Sequence, residues 1–374
     1  MRTAPGSLLL LLAAVACTPD YAVNPQDPDV DPGQVMDCDF SPIPGTQLSE
    51  YDCNPVFSTT GEPWSDRVRS VSFRSAPVLG HPFYQIWYTA VPEGQADGYG
   101  LGYAISAEGT SWEVHPENPL LTHTPGSWDQ DVMDNVQVLW DADVGQYVMA
   151  WQGITMPQGF DPGRWGIGVA TSPDGVTWTR HPANPVLDFL AMGEEAGMGT
   201  YVSPCWPLDL TKQNDAFTGY IAGTASQAGV PITNTCDIYT ATATDLADWT
   251  LGATPVLEAG AWYDAAGIAG AAIVEHEGTW YMFYVGFEQW IQQAGYQTSD
   301  RHHLALATSP DGVTWTKHPD NPLPINRASP GVVSAVGAET VGSRIHLWVT
   351  DRYEELGAHA VGYYLFEPDV DPHP

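Results

Sequence analysis

The chain has 374 residues, of which 45 are acidic and 12 basic, giving a net charge of −33. No surface of that composition can neutralise phosphates, so a nucleic-acid binder is excluded. Hydrophobic residues make up 43% and charged ones only 15%, which excludes an acidic disordered chain, while 37 glycines and 32 prolines point to many short elements joined by turns.

Arg2 precedes an apolar run, Leu8 to Ala16, too short to cross a bilayer as a helix, so residues 1–16 read as a signal peptide. Ala14-Val15-Ala16-Cys17 resembles a bacterial lipobox. That resemblance implies cleavage before Cys17, lipidation of its thiol and a cell-envelope location (outer membrane or cell surface), with membrane contact through the lipid alone. Residues 17–46 carry the lipidated cysteine and an Asp/Pro-rich tether that cannot bury enough apolar area to order itself. Pro-Asp-Val-Asp-Pro stands at 28–32 and again at 368–372, the second copy running into an acidic tail, 369–374. Neither copy has the ligand spacing of a calcium loop. Cys38, Cys53, Cys205 and Cys236 are expected to form two disulfides in an exported chain; three pairings exist, and nearness favours 38–53 and 205–236. No Cys/His cluster has zinc spacing.

From residue 47 the predicted elements are strands. Leu48–Pro55 is an orphan outer strand. Five aromatic or apolar segments follow, at 84–88, 147–151, 220–222, 280–284 and 345–349, each preceded by another β-rich run. Ala170-Thr-Ser-Pro-Asp-Gly-Val-Thr-Trp178 recurs almost unchanged at Ala307–Trp315, with looser copies ending at Trp112 and Trp249. Those tryptophans are 66, 71 and 66 residues apart, and Asn/Thr-Pro pairs at 54, 118, 184, 254 and 321 keep the same period. Each unit is therefore four strands, A to D, with Asp174-Gly175 and Asp311-Gly312 as tight C–D hairpins. Four-stranded units repeated radially make a β-propeller. The last unit stops after a C strand, 359–366, so the orphan strand completes it. The expected fold is all-β, a five-bladed propeller over 47–368 closed by its own N-terminal strand.

Strand B followed by Gly-x-Ala-Thr-Ser-x-Asp-Gly-x-x-Trp and Asn-Pro-Val/Leu resembles the five-bladed glycoside hydrolases of the invertase, arabinanase and β-xylosidase superfamily. The resemblance implies carboxylates around a central funnel, at strand-A heads of the first three blades. Asp134-Asn135 matches the second of these positions. In blade 1, Asp66 lies near, but Arg69-Ser70 aligns better with the strand head. Blade 3 offers Tyr201–Cys205 and no carboxylate, with Glu194 and Glu195 nearby, and Glu339 in blade 5 is unattached. Asp134 and Asp66 are the catalytic candidates.

D–A and B–C loops share one face of a propeller, and the unusual residues fall there. Expected ligand contacts are Trp64, Asp129, Asp131, Trp165, Trp262, Asp264, Trp290, Arg301, His302 and Arg352, a mixture of carboxylates and aromatic planes suited to sugars. The repeated Trp-Asp pairs have an equal reading as blade-packing devices. Asp174 and Asp311 read as turn-fixing residues, and His115, His181 and His318 as structural repeats. No metal or cofactor is expected, although the acidity is compatible with a central calcium. The expected function is a surface-anchored, glycoside-hydrolase-like protein acting on or binding a glycan; the alternative is a non-catalytic glycan-binding or protein-interaction propeller.

Overall fold

The computed structural model describes residues 38–59, 64–65, 67–78, 81–91, 100–156, 164–188, 200–213, 215–227, 235–293, 296–325, 335–353 and 358–373. The predicted leader and Cys17 lie outside them. Short strands supply nearly all the regular structure. The N-terminal β1 (Phe40–Pro42) and β2 (Leu48–Tyr51) are followed by blade 1, with β3 (Arg67–Val78), β4 (His81–Val91), β5 (Gly100–Ser106), β6 (Glu113–Val114) and β7 (Leu121–Thr122). Blade 2 has β8 (Val132–Asp141), β9 (Gln146–Thr155), β10 (Arg164–Ser172), β11 (Thr179–Arg180) and β12 (Leu187–Asp188). Blade 3 has β13 (Thr200–Gln213), β14 (Ala216–Gln227), β15 (Asp237–Ala243) and β16 (Thr250–Leu251). A 3-10 turn, Trp262–Asp264, leads into blade 4, with β17 (Gly267–His276), β18 (Thr279–Gln293), β19 (Tyr296–Ser309) and β20 (Thr316–Lys317). Blade 5 has β21 (Ala335–Val341), β22 (Arg344–Tyr353) and β23 (Ala358–Phe366), and β2 pairs antiparallel beside β23, with Leu48 opposite Phe366 and Glu50 opposite Tyr364.

The five first strands β3, β8, β13, β17 and β21 contact one another in sequence, and β21 returns to β3, so the ring is closed. The five-bladed, four-stranded propeller expected from the repeat is the fold observed. Period-two alternation in each second strand divides its side chains between two neighbours. In β4, Tyr84, Ile86 and Tyr88 pack toward blade 5 while Trp87 packs toward blade 2; in β18, Met282 and Tyr284 face blade 3 while Phe283 and Val285 face blade 5. One apolar cluster thus fills each blade-to-blade junction. The blade 5–blade 1 junction includes a stack of Phe73, Trp348 and Tyr363 with centroids 4.4 and 5.0 Å apart.

The conserved-looking repeats have separate mechanical roles. The asparagine of each Asn-Pro pair lays its amide against the third strand of its blade like one more strand residue. Asn184 Oδ1 accepts from Val169 N and its Nδ2 donates to Val169 O, both at 2.9 Å; Asn118 and Asn321 do the same to Tyr103 and Leu306. Asn54 makes this clamp on Tyr363, at 2.7 and 3.1 Å, so it belongs to blade 5 although it lies 309 residues away. The C–D glycines serve docking. Trp87 Nε1 donates to Gly175 O of the next blade at 2.7 Å, Tyr220 to Gly312 O at 2.8 Å, and Trp348 Nε1 to Gly109 O at 3.4 Å. Gly175 and Gly312 have φ of +78° and +73°, which only glycine adopts without strain.

One boundary shifts. Residues 38–46 are not tether: β1 pairs with β2, Ile43 is buried, Phe40 packs on Tyr51 and Tyr363, and Cys38 is bonded to Cys53. The segment is too polar to order alone and is ordered by that bond and by the blade edge. The C-terminal tail is also held, His373 N donating to Thr46 O at 2.7 Å and Gln47 Nε2 to Pro368 O and Val370 O at 2.9 and 2.8 Å. The Cys38–Cys53 pairing is as expected. For the second expected pair, the Cys205 side chain lies outside the described residues, and the Cys236 sulfur sits 3.8 Å from Thr224 Oγ1.

Candidate functional site

The strand-A heads of blades 1, 2 and 4 all carry a β-bulge, between Val68 and Ser70, Asp134 and Gln137, and Ile268 and Gly270. Bulges of this kind re-aim side chains where a strand meets a site. At the blade 2 bulge, Asn135 takes a left-handed φ of 51° and its Nδ2 donates to Gln152 Oε1 at 2.9 Å. Asp134 is turned into the junction with blade 1 and is only 5% exposed. Its Oδ1 accepts from the Thr89 hydroxyl at 2.5 Å and from Asn135 N at 2.8 Å. Thr89 spends its proton there, so the 2.6 Å contact with Ser70 is donated by Ser70, whose Oγ in turn accepts from Val136 N at 3.2 Å. The half-exposed Arg69 guanidinium stands 3.5 Å from Asp134 Oδ2. Among the described side chains, Arg69 of the blade 1 strand head is thus paired with Asp134 of the blade 2 strand head. Asp134, the expected catalytic residue, is enclosed, its carboxylate accepting from Thr89 and Asn135 and paired with Arg69.

Asp129 and Asp264, expected to touch ligand, are fully buried, which also needs correction. Asp129 Oδ2 accepts from Arg180 at 2.6 Å, and that guanidinium lies over the Trp151 ring, 5.1 Å from its centroid. Asp264 Oδ2 accepts from Lys317 at 2.6 Å and from the Tyr284 hydroxyl at 3.1 Å, while Oδ1 caps Gly260 N and Ala261 N at 2.9 and 2.7 Å. Each pair ties the incoming D–A connection to the fourth strand of its own blade, β11 or β20. In blade 1 the equivalent positions are Ser65 and Val114, so acid and base are absent together. This complementary exchange was the sequence signal for a packing role. Trp64 shares it, stacked on Tyr88 at 5.8 Å, as Trp128 is tilted against Trp151. Asp131 is also engaged, its Oδ2 accepting from Met156 N at 2.6 Å.

The open part of this face lies further out. Trp262 is 62% exposed and Trp165 41%. Trp262 meets His303 edge-on at 5.1 Å, and Glu288 stands 2.9 Å from His303 Nε2 and 3.3 Å from Arg301. His303 first, then Arg301, holds the Glu288 carboxyl below its usual range. Glu288 and His303, which the sequence places on this face but not among the expected ligand contacts, lie on β18 and β19. Arg301 is exposed with φ 56°, and His302 packs against the Phe287 ring. Asp66, Glu194 and Glu195 lie outside the described residues, as do the side chains of Trp290 and Arg352, whose backbones are in β18 and β22.

The remaining candidates are structural. Asp174 Oδ1 accepts from Thr177 N and Val176 N at 2.7 and 2.9 Å, and these bonds hold its carboxyl at about 2. Asp311 repeats this with Thr314 and Val313. His115, His181 and His318 each donate their backbone N–H to a third strand. Glu339 is partly buried on β21, where desolvation raises its carboxyl pKa and Arg74 opposes the rise; Arg74 also pairs with buried Asp209 at 3.5 Å. These three sit toward the outgoing ends of their strands, away from the strand heads.

The sequence matches no protein-family model and no curated protein. Solved structures do resemble it. A glycosyl hydrolase from Bacteroides ovatus aligns with a TM-score of 0.58 at 17% identity, covering 86% of this chain and 95% of that one. A thermostable family-43 glycoside hydrolase gives 0.55 at 14%, covering 84% and 97%. A Bombyx mori GH32 β-fructofuranosidase mutant in complex with sucrose gives 0.51 at 12%, covering 82% of this chain and 62% of that one. The fold of this chain is thus the five-bladed propeller that these glycoside hydrolases share.

Proposed function

We propose that this protein is a glycoside-hydrolase-like propeller that binds a glycan on the face carrying the strand heads, without cleaving it by paired carboxylates. The observation that carries this reading is the Arg69–Asp134 pair. Glycosidases of either stereochemistry need two carboxyl groups about 5–10 Å apart flanking the bond. Here the blade 2 carboxylate is enclosed and stands against a cation, Arg69, of the blade 1 strand. Exposed Trp165 and Trp262 supply flat apolar surfaces on the same face, against which sugar rings stack, and Arg69, Arg301 and Glu288 supply hydrogen bonds to hydroxyls. The sucrose held by the Bombyx mori enzyme supports a carbohydrate as the ligand class.

Calorimetry against arabino-, xylo- and fructo-oligosaccharides tests the reading. Binding without product release is expected, and Trp262→Ala should weaken it about tenfold, the equivalent of about 1.4 kcal/mol. Turnover of any of these by the wild type would replace it with a hydrolase reading. Binding that ignores both Trp262→Ala and Trp165→Ala would remove this face from consideration.

We further infer that the chain is held at a membrane by lipid on Cys17, followed by an Asp/Pro-rich spacer of about twenty residues. Cys17→Ser should shift the protein from the membrane fraction to the soluble fraction or leave it unprocessed. Fatty-acid labelling that fails on the wild type would reduce the case to simple secretion.

A further inference from the structure

On the face opposite the strand heads, β17 ends at His276 and turns into β18 through Glu277 and Gly278, both at positive φ (49° and 81°) as a two-residue hairpin requires. His276 is 5% exposed, and its Nε2 is buried without a hydrogen-bond partner. Buried polar nitrogens are ordinarily paired, so this one calls for an explanation. Nε2 faces Asp369 Oδ2 across 3.8 Å, too far for a hydrogen bond. One ligand atom from each of His276, Glu277 and Asp369 lies within 4.8 Å of the others. Asp369 is held in place, because Gln47 Nε2 donates to the carbonyls on both sides of it, Pro368 O and Val370 O. Both carboxylates act on nearby Tyr281, whose phenol is raised by burial first and then by Asp369 and Glu277.

We propose that His276, Glu277 and Asp369 form a site for a divalent cation of the zinc class. The donor set decides the class. One imidazole nitrogen with two carboxylate oxygens suits Zn²⁺ and its first-row neighbours, whereas Ca²⁺ and Mg²⁺ take oxygen alone. Two ligands at about 2.1 Å from a common ion stand about 3.4 Å apart at the tetrahedral angle, so the 3.8 Å spacing requires the exposed carboxylates to close in by a few tenths of an ångström on binding. The position gives the site a consequence. It joins the first hairpin of blade 4 to the C-terminal tail, which is strapped to Thr46 and Gln47 beside the ring-closing β2. An ion bound there binds the closed ring and not the opened one, so it stabilises closure by linkage.

The test uses the mature chain stripped of metal with EDTA. Titration with ZnCl₂ should show one saturable site per chain and a raised melting temperature, and Co²⁺ should give visible absorption of low-symmetry coordination. Asp369→Asn and Glu277→Gln change exposed side chains, so the fold should be untouched while zinc affinity falls about tenfold or more. Asp371→Asn, a nearby exposed carboxylate outside the group, should bind as the wild type. No saturable zinc binding, equal binding by Asp369→Asn, or calcium matching zinc would each overturn the proposal.

Discussion

Removing residues 18–56 should leave a chain that does not fold, whereas removing 18–37 should leave the melting temperature of the mature protein unchanged. The shorter deletion ends before Cys38 and the ordered segment. The longer one takes away β1, β2, the Cys38–Cys53 bond and the Asn54 clamp on Tyr363. It also strips Ile43 and Leu48 from the blade 4–blade 5 junction. Burying such side chains is worth about 1.5–3 kcal/mol each, against a total stability of about 5–15 kcal/mol. The deletion in addition uncovers the edge of β23, which then offers unpaired N–H and C=O groups to other chains. Thermal melts followed by circular dichroism check both variants. If the 18–56 deletion melts with the mature chain, the N-terminal strand does not close the ring.

Much of this architecture was legible because a propeller repeats its own instructions. The Trp and Asn-Pro periods counted the blades, and the Asp-Gly pairs marked the C–D hairpins. The missing last strand of blade 5 pointed to Leu48–Pro55. What the sequence hid were relations between residues far apart in the chain. β1 reads as tether by composition and is ordered only by the disulfide and by the aromatic edge made of Tyr51 and Tyr363. Asp134 stands at the head of an inner strand, which alone suggests a carboxylate aimed at the axis. The bulge after it and the donors Thr89 and Arg69, from blade 1, turn it into the junction instead. The buried role of Asp129 depends on Arg180, 51 residues downstream, and only a comparison between blades, with Ser65 and Val114 at the equivalent positions of blade 1, marks that pairing. Charge scarcity gives it meaning: among the described residues, seven of the 12 basic side chains stand in ion pairs with carboxylates.

Among those pairs, the ones with a fully buried carboxylate, Asp129 and Asp264, should be especially sensitive to single substitution. Asp129→Ser alone leaves Arg180 three-quarters buried without its carboxylate, and a loss of about 3 kcal/mol is expected, as for other broken buried pairs. Blade 1 shows the remedy, because it fills the same two positions with Ser65 and Val114 and no charge. The double variant Asp129→Ser with Arg180→Val copies that solution into blade 2. It removes both desolvated charges together, including the Asp129 Oδ1 that has no hydrogen-bond partner in its burial. Most of the lost stability should therefore return, leaving a deficit of about 1 kcal/mol for the contact of Arg180 with the Trp151 ring. A double-mutant cycle read by denaturant unfolding measures this coupling directly. If the two losses simply add, the pair is not an exchangeable packing unit. Asp129 then holds the connection through its own contacts.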